Sequence, residues 1–335
     1  MTAVNRYLTF VALALALVLA GPALAQQKIR VLIITGSHQV HDWYNTTPIL
    51  KKALEDTGRF QVDVTENPVQ DLTPANLRKY QVLMLHYRET RPDAPQRWPI
   101  LDQNYKPTGQ FKEFPAMPGR WPAANEKALL DAVSGGTGLV VLHWATAAFD
   151  TPADVNWPEY ETLVGGGWRG NKGYGGHGPQ LQYKVKIVNH DHPITKGFPA
   201  EFLHTKDELY HHSLILDGDT VLATAFDDPV GGVRGPTASG KDEPLLWVRQ
   251  YGKGRVYTNE LGHGPDQMRL SPGYLSLIQR GTEWVATGKV TIPIPKVLDA
   301  PVDPVPVEPQ RAGGGGRGTG APAAAPVGTA PAPGR

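Results

Sequence analysis

The chain contains no cysteine. That excludes disulfides, thiolate metal ligands and a cysteine nucleophile together. It also rules out a lipidated cysteine beside the amino-terminal apolar segment. An excess of one charge is missing too: Lys+Arg number 33 and Asp+Glu 32, with no basic stripe, which argues against a nucleic-acid partner. Two motifs are absent. There is no G-x-S-x-G at a strand-to-helix turn and no G-x-x-x-x-G-K-[ST], so serine-elbow hydrolysis and P-loop phosphate binding have no residues to act through. After the first 25 residues, no apolar run is long enough to span a bilayer.

The amino-terminal run itself, Leu8 to Leu19, follows Arg6 and precedes Ala23-Leu24-Ala25. It is short of the roughly 20 residues a membrane helix needs. The pattern predicts a cleaved signal peptide over 1–25 and a periplasmic or secreted protein with no membrane span after cleavage. From 292 the sequence turns to proline, glycine and alanine, closing on GGGGRGTGAPAAAPVGTAPAPGR. Few large apolar side chains remain to offset ordering entropy, so 292–335 is predicted to be a disordered tail.

Residues 27–291 read as one α/β domain. Apolar runs at 28–35, 80–86 and 138–143 predict buried parallel strands, and 60–66 alternates like a further strand. Helices are predicted over 47–56, 124–133 and 273–286, the last ended by Gly288. The second half adds strands at 180–188, 220–225, 245–250 and 255–260, with a hairpin around Tyr251-Gly252-Lys253-Gly254. Residues 91–122, dense in proline and tryptophan, read as a long loop. The fold class is α/β: a mainly parallel, doubly wound sheet with helices on both faces, a flavodoxin-like three-layer sandwich.

Histidine is present where it counts. Four strand-like runs lead to His38, His86, His143 and His263. In an open α/β sheet, ligands bind beyond the carboxyl ends of the strands. Imidazole titrates near neutrality and ligates metals, so convergence of these rings on one rim predicts a reactive or metal-binding site. His143, at the end of the best-defined strand, suits a general acid or base. His38, His41 and Asp42 share the first strand-to-helix loop; their types suit substrate hydrogen bonding or a divalent metal. The dense glycines of GGGWRGNKGYGGHGP around His177 permit close backbone approach to a ligand.

Several motifs together resemble a known family. They are Gly135-Gly136-Thr137-Gly138-Leu139-Val140-Val141-Leu142-His143, His192-Pro193-Ile194-Thr195 before Gly197, and Asp207-Glu208-Leu209-Tyr210. Trp247-Val248-Arg249, Tyr251-Gly252-Lys253-Gly254-Arg255-Val256 and Leu261-Gly262-His263 complete the set. Their order is similar to that of the ThuA-like trehalose-utilisation domain, over nearly the whole core. The resemblance implies a class I glutamine amidotransferase-like fold. It does not bring amidotransferase chemistry, because the elbow reads Leu142-His143-Trp144-Ala145 without a cysteine.

The resemblance further implies carbohydrate catabolism, with a sugar or keto-sugar as small-molecule partner. It favours Glu208 over Asp207 as the acid–base carboxylate and supports including His177. The expected site is therefore His143 and Glu208 as catalytic groups, with His38, His41, His177, Asp207 and His263 as substrate contacts. A divalent metal held by His38, His41 or His263 is an open alternative. So are a non-catalytic carbohydrate-binding or sensing protein and a metal-dependent hydrolase. Trp43, Trp144 and Trp168 are candidates for wall or sugar-stacking positions.

Overall fold

A computed structural model describes residues 27–89, 96–115, 119–228 and 238–301. The expected signal peptide and the tail beyond 301 lie outside the described residues. Strands β1 (Ile29–Ile34), β2 (Phe60–Thr65), β3 (Val82–Leu85) and β6 (Gly138–Leu142) are parallel, joined on the far side by β11 (Gly254–Asn259). Four more strands extend the sheet antiparallel: β7 (Leu181–Ile187), β8 (Glu201–Asp207), β9 (Thr220–Phe226) and β10 (Asp242–Tyr251). The order across the sheet is β8-β7-β9-β10-β11-β6-β3-β1-β2.

Successive side chains of a strand point to opposite faces, and here each face has its own core. Val31, Ile33, Val140 and Leu142 pack beneath α1 (Trp43–Glu55) and α4 (Pro272–Thr287), through Leu50, Leu54, Leu277 and Val285. Leu32, Ile34, Leu139 and Val141 pack beneath α2 (Ala123–Ser134) and α3 (Pro158–Val164), through Leu129, Val133, Tyr160 and Leu163. Double coverage explains why β3 and β6 are apolar at every position: all their residues are buried. The doubly wound, three-layer arrangement expected from the sequence is present in this parallel half.

Three segments differ from expectation. Residues 91–122 include an antiparallel pair, β4 (Gln96–Leu101) and β5 (Pro107–Phe114). Asp102 closes the turn, its Oδ1 accepting from the N–H groups of Asn104 (2.8 Å) and Lys106 (2.9 Å). Most of β5 is exposed, so the pair has no buried face to impose a readable alternation. The strand β8 is the second difference, its apolar positions broken up by His204, Lys206 and Asp207. Third, residues 292–301 still pack on the domain: Ile292 and Ala300 are buried, and the Ala300 N–H donates to Leu203 O at 3.0 Å.

The even number of antiparallel reversals between β11 and β8 brings the end of β8 to the same side as the ends of β1, β3, β6 and β11. Among the described residues, no helix is long and apolar enough to cross a membrane.

Candidate active site

The loop after β1 carries His38 and His41. Asp42 closes it as the N-cap of α1, its side chain accepting from the Asn45 N–H at 3.1 Å. That cap leaves Asp42 out of the histidine cluster. Within the loop, His41 N–H donates to His38 Nδ1 (3.0 Å), and the two Nδ1 atoms are 2.7 Å apart. The loop is clamped from β4: the buried Gln96 Oε1 accepts from His38 N–H (3.0 Å) and from the Trp43 indole (2.6 Å). Gln96 is not evident from the sequence, because 91–122 reads there as a loop with no polar motif.

His143 follows β6 directly and opens a short 3-10 turn, His143–Ala147. Its φ is +42°, in the left-handed region a non-glycine residue occupies at a cost. Its Nδ1 lies 2.6 Å from Glu260 O. The Glu260 side chain is buried, accepts from Ser213 Oγ, and burial pushes its carboxyl up to about 8. Two residues on, Gly262 adopts φ +100°, and an added Cβ would lie 2.7 Å from Tyr274 Oη. Only glycine fits that turn, which aims His263 inward.

Glu208 is the hub. Its Oε2 stands 3.0 Å from His263 Nδ1, 3.5 Å from His143 Nε2 and 3.8 Å from His41 Nε2. Its Oε1 is 3.6 Å from His177 Nδ1. Burial alone would raise this carboxyl, but the imidazoles of His143, His263 and His41 override it and hold it well below the usual range. Burial would lower His263, yet Glu208 raises it instead. His41 and His38 are both pushed well below 6.5, chiefly by burial.

The donor atoms of His41, His143, Glu208 and His263 lie within 4.8 Å of one another, close enough to share one cation. Access is graded across the cluster. The His177 side chain is 39% exposed, that of His263 17%, and that of His143 0%.

The structure thus gathers His41, His143, His177, Glu208 and His263, with His38 behind His41. Asp207, expected among the substrate contacts, is fully buried, and its oxygens serve the protein. Oδ1 accepts from the N–H groups of Glu208 (2.8 Å) and His263 (3.1 Å); Oδ2 accepts from Gly262 N–H (2.7 Å) and lies 2.7 Å from His204 Nε2. Burial would raise this carboxyl, but His204 and the other donors keep it low. His86 also stands apart from the cluster. It is buried, 2.8 Å from Thr46 Oγ1, and burial pushes it down to about 3.

Trp43 is a core residue, and Trp144 is a buried wall stacked on His41 with centroids 4.7 Å apart. Trp168 is half-buried at the rim, 5.9 Å from the His177 ring. Tyr210, not singled out from the sequence, packs 4.3 Å from His143 and pairs with His177 through the backbone.

The family described as trehalose utilisation, ThuA, matches residues 30–285. The chain belongs to the ThuA family. A ThuA-like protein from Parabacteroides merdae has a similar structure, with a TM-score of 0.64 and 28% identity, covering 82% of this chain and 95% of that one. A ThuA-like protein from Bacteroides uniformis shares the fold, at a TM-score of 0.56 and 19% identity, covering 81% and 97%. Comparison with curated proteins gives no match. The matched ThuA residues include the loop of His38 and His41, the β6 end, the Asp207-Glu208 pair and His263.

Proposed function

We propose that this ThuA-family protein is an enzyme performing acid–base chemistry on a sugar or keto-sugar derivative at the Glu208 site. The observation that supports it is the bridging position of Glu208. One carboxylate oxygen faces three largely buried imidazoles, and the other faces the exposed His177. A substrate arriving beside His177 and Trp168 meets an imidazole and a carboxylate together. In a keto-sugar the carbonyl acidifies the neighbouring C–H. Oε1 and His177 would take and return that proton, with His143 behind them on the Oε2 side. The amino-terminal pattern of Arg6, Leu8–Leu19 and Ala23–Ala25 supports a periplasmic or secreted setting.

Incubating the protein with 3-keto-glycosides and their parent sugars in deuterated buffer, followed by NMR, tests the reading. Deuterium incorporation or a new product is expected with a keto-sugar, falling by about 10²–10⁴-fold in Glu208→Gln. Tight calorimetric binding of the same sugars with neither exchange nor product would instead make the chain a carbohydrate-binding protein.

A further inference from the structure

We propose that the buried side of the cluster is a divalent-cation site, with His41 Nε2, His143 Nε2, His263 Nδ1 and Glu208 Oε2 as its ligands. His38 and the Glu260 carbonyl serve as the groups that aim two of the imidazoles. The inference shares the site of the acid–base reading and assigns its inner half a separate task.

Hydrogen-bond partners fix where the ring protons sit. Glu260 O can only accept, so the proton of a neutral His143 sits on Nδ1 and its Nε2 presents a lone pair. His38 Nδ1 already accepts the His41 backbone N–H, so in the 2.7 Å contact between the rings the proton belongs to His41 Nδ1. His41 Nε2 therefore presents a lone pair as well. Both lone pairs face Glu208 Oε2, at 3.5 and 3.8 Å. With both rings neutral, three electron-rich atoms point at one another, and positive charge placed among them, as protons on the rings or as a shared cation, resolves the repulsion.

Among the described residues, none of the four atoms donates or accepts a well-aligned hydrogen bond. His41 Nε2, His143 Nε2, His263 Nδ1 and Glu208 Oε2 are all buried without a hydrogen bond, the 3.0 Å His263 contact being poorly aligned for one. Unsatisfied buried polar atoms are costly, and four converging on one point mark a missing partner. The spacing of the four atoms also suits a small ion. Ligands about 2.0–2.1 Å from a tetrahedral zinc lie roughly 3.3 Å from each other; the Glu208 distances of 3.0, 3.5 and 3.8 Å bracket that value, and all four atoms lie within 4.8 Å of one another, so the imidazoles need only draw in around the ion.

Three imidazoles and a carboxylate, with no sulfur, suit zinc, manganese, iron or cobalt as divalent ions. The His38 contact and the Glu260 carbonyl are the outer hydrogen bonds that metal-bound histidines use to fix tautomer and ring orientation. When bound, such an ion supplies Lewis-acid polarisation of a substrate oxygen. Glu208 Oε1 and His177 remain outside the ligand set, facing solvent.

The test uses the full chain, stripped with EDTA and dialysed, then titrated with zinc chloride and manganese chloride by calorimetry, with metal content measured by mass spectrometry. Uptake of a single equivalent is expected. His41→Gln and His263→Gln should each weaken it by at least ~10-fold, while His190→Gln, at an exposed histidine elsewhere, should not. No uptake by the wild type, or full uptake by the His41→Gln/His263→Gln double variant, overturns the proposal. Should the variants fail to fold, wild-type melting decides it: a rise on adding metal that chelator reverses supports the site, and an unchanged melting temperature sinks it. Metal uptake without keto-sugar turnover would refute the substrate reading and leave the cation site standing.

Discussion

Asp207 ties His263 to the edge strand β8: its Oδ1 accepts the His263 backbone N–H at 3.1 Å. In strand order, β8 and β11 are separated by β7, β9 and β10. This one carboxylate, also holding Gly262 and Glu208 through their N–H groups, closes the gap. Glu208 and His263 therefore owe their proximity to a buried side chain whose two oxygens are engaged by the protein itself.

Asp207→Asn should accordingly loosen the site from behind. The amide presents an NH2 to at least one donor, Gly262 N–H or His204 Nε2, leaving a buried donor unsatisfied at about 1–3 kcal/mol. Urea unfolding should show that loss, and metal uptake should weaken although no proposed ligand has changed. Wild-type stability with undiminished uptake would remove Asp207 from the architecture of the site.

His177→Gln should separate proton movement from metal binding. The side chain is exposed and outside the four inner donors, so melting temperature and metal content should match wild type. Turnover of a keto-sugar should fall by about 10²–10⁴-fold, in kcat more than in KM. An equal fall in metal content would place His177 among the ligands instead.

His38→Ala should act through His41. With the 2.7 Å ring contact gone, the His41 imidazole can take the wrong tautomer or turn away. Metal affinity should drop by about 10–100-fold, the usual cost of an outer partner, while a substrate that binds only at His177 keeps its affinity. Calorimetry with zinc, and with sugar alone, reads the two effects apart.

Glu89 gives a pH prediction away from the histidines. Burial pushes its carboxyl up to about 7, against 4.5 for a free glutamate. Because the folded state favours the protonated form, the stability tied to that proton is fully present below about 4.5 and is lost as pH rises through about 7. Glu89→Gln keeps an acceptor for the Phe149 N–H and removes the titration. Relative to wild type, it should gain stability between pH 5 and pH 7.5, by about 3 kcal/mol at most. Parallel stability curves for the two proteins would show that Glu89 does not titrate in this range.

Much of this site was legible because parallel strands deliver their carboxyl ends to one edge. The apolar runs before His38, His143 and His263 therefore announced a shared rim. His86 obeyed the same rule yet fell outside the cluster, since Trp144 packs against its ring at 4.1 Å and Thr46 holds its Nε2. Glu208 was visible only through family resemblance. It follows an antiparallel edge strand whose apolar residues are broken up by His204, Lys206 and Asp207, and no spacing in the chain encodes that edge's return to β11. The roles of Asp207 and Gln96 were invisible for a related reason: a buried polar anchor and a ligand-binding group have the same letters, and only their partners distinguish them.

Anomalous diffraction from crystals of the zinc-loaded protein, recorded on both sides of the zinc absorption edge, tests the centre of this account most directly. A single peak enclosed by His41 Nε2, His143 Nε2, His263 Nδ1 and Glu208 Oε2, with His177 outside it, is the expected result. A map without density there, or an ion held by other side chains while these four turn to separate partners, would contradict it.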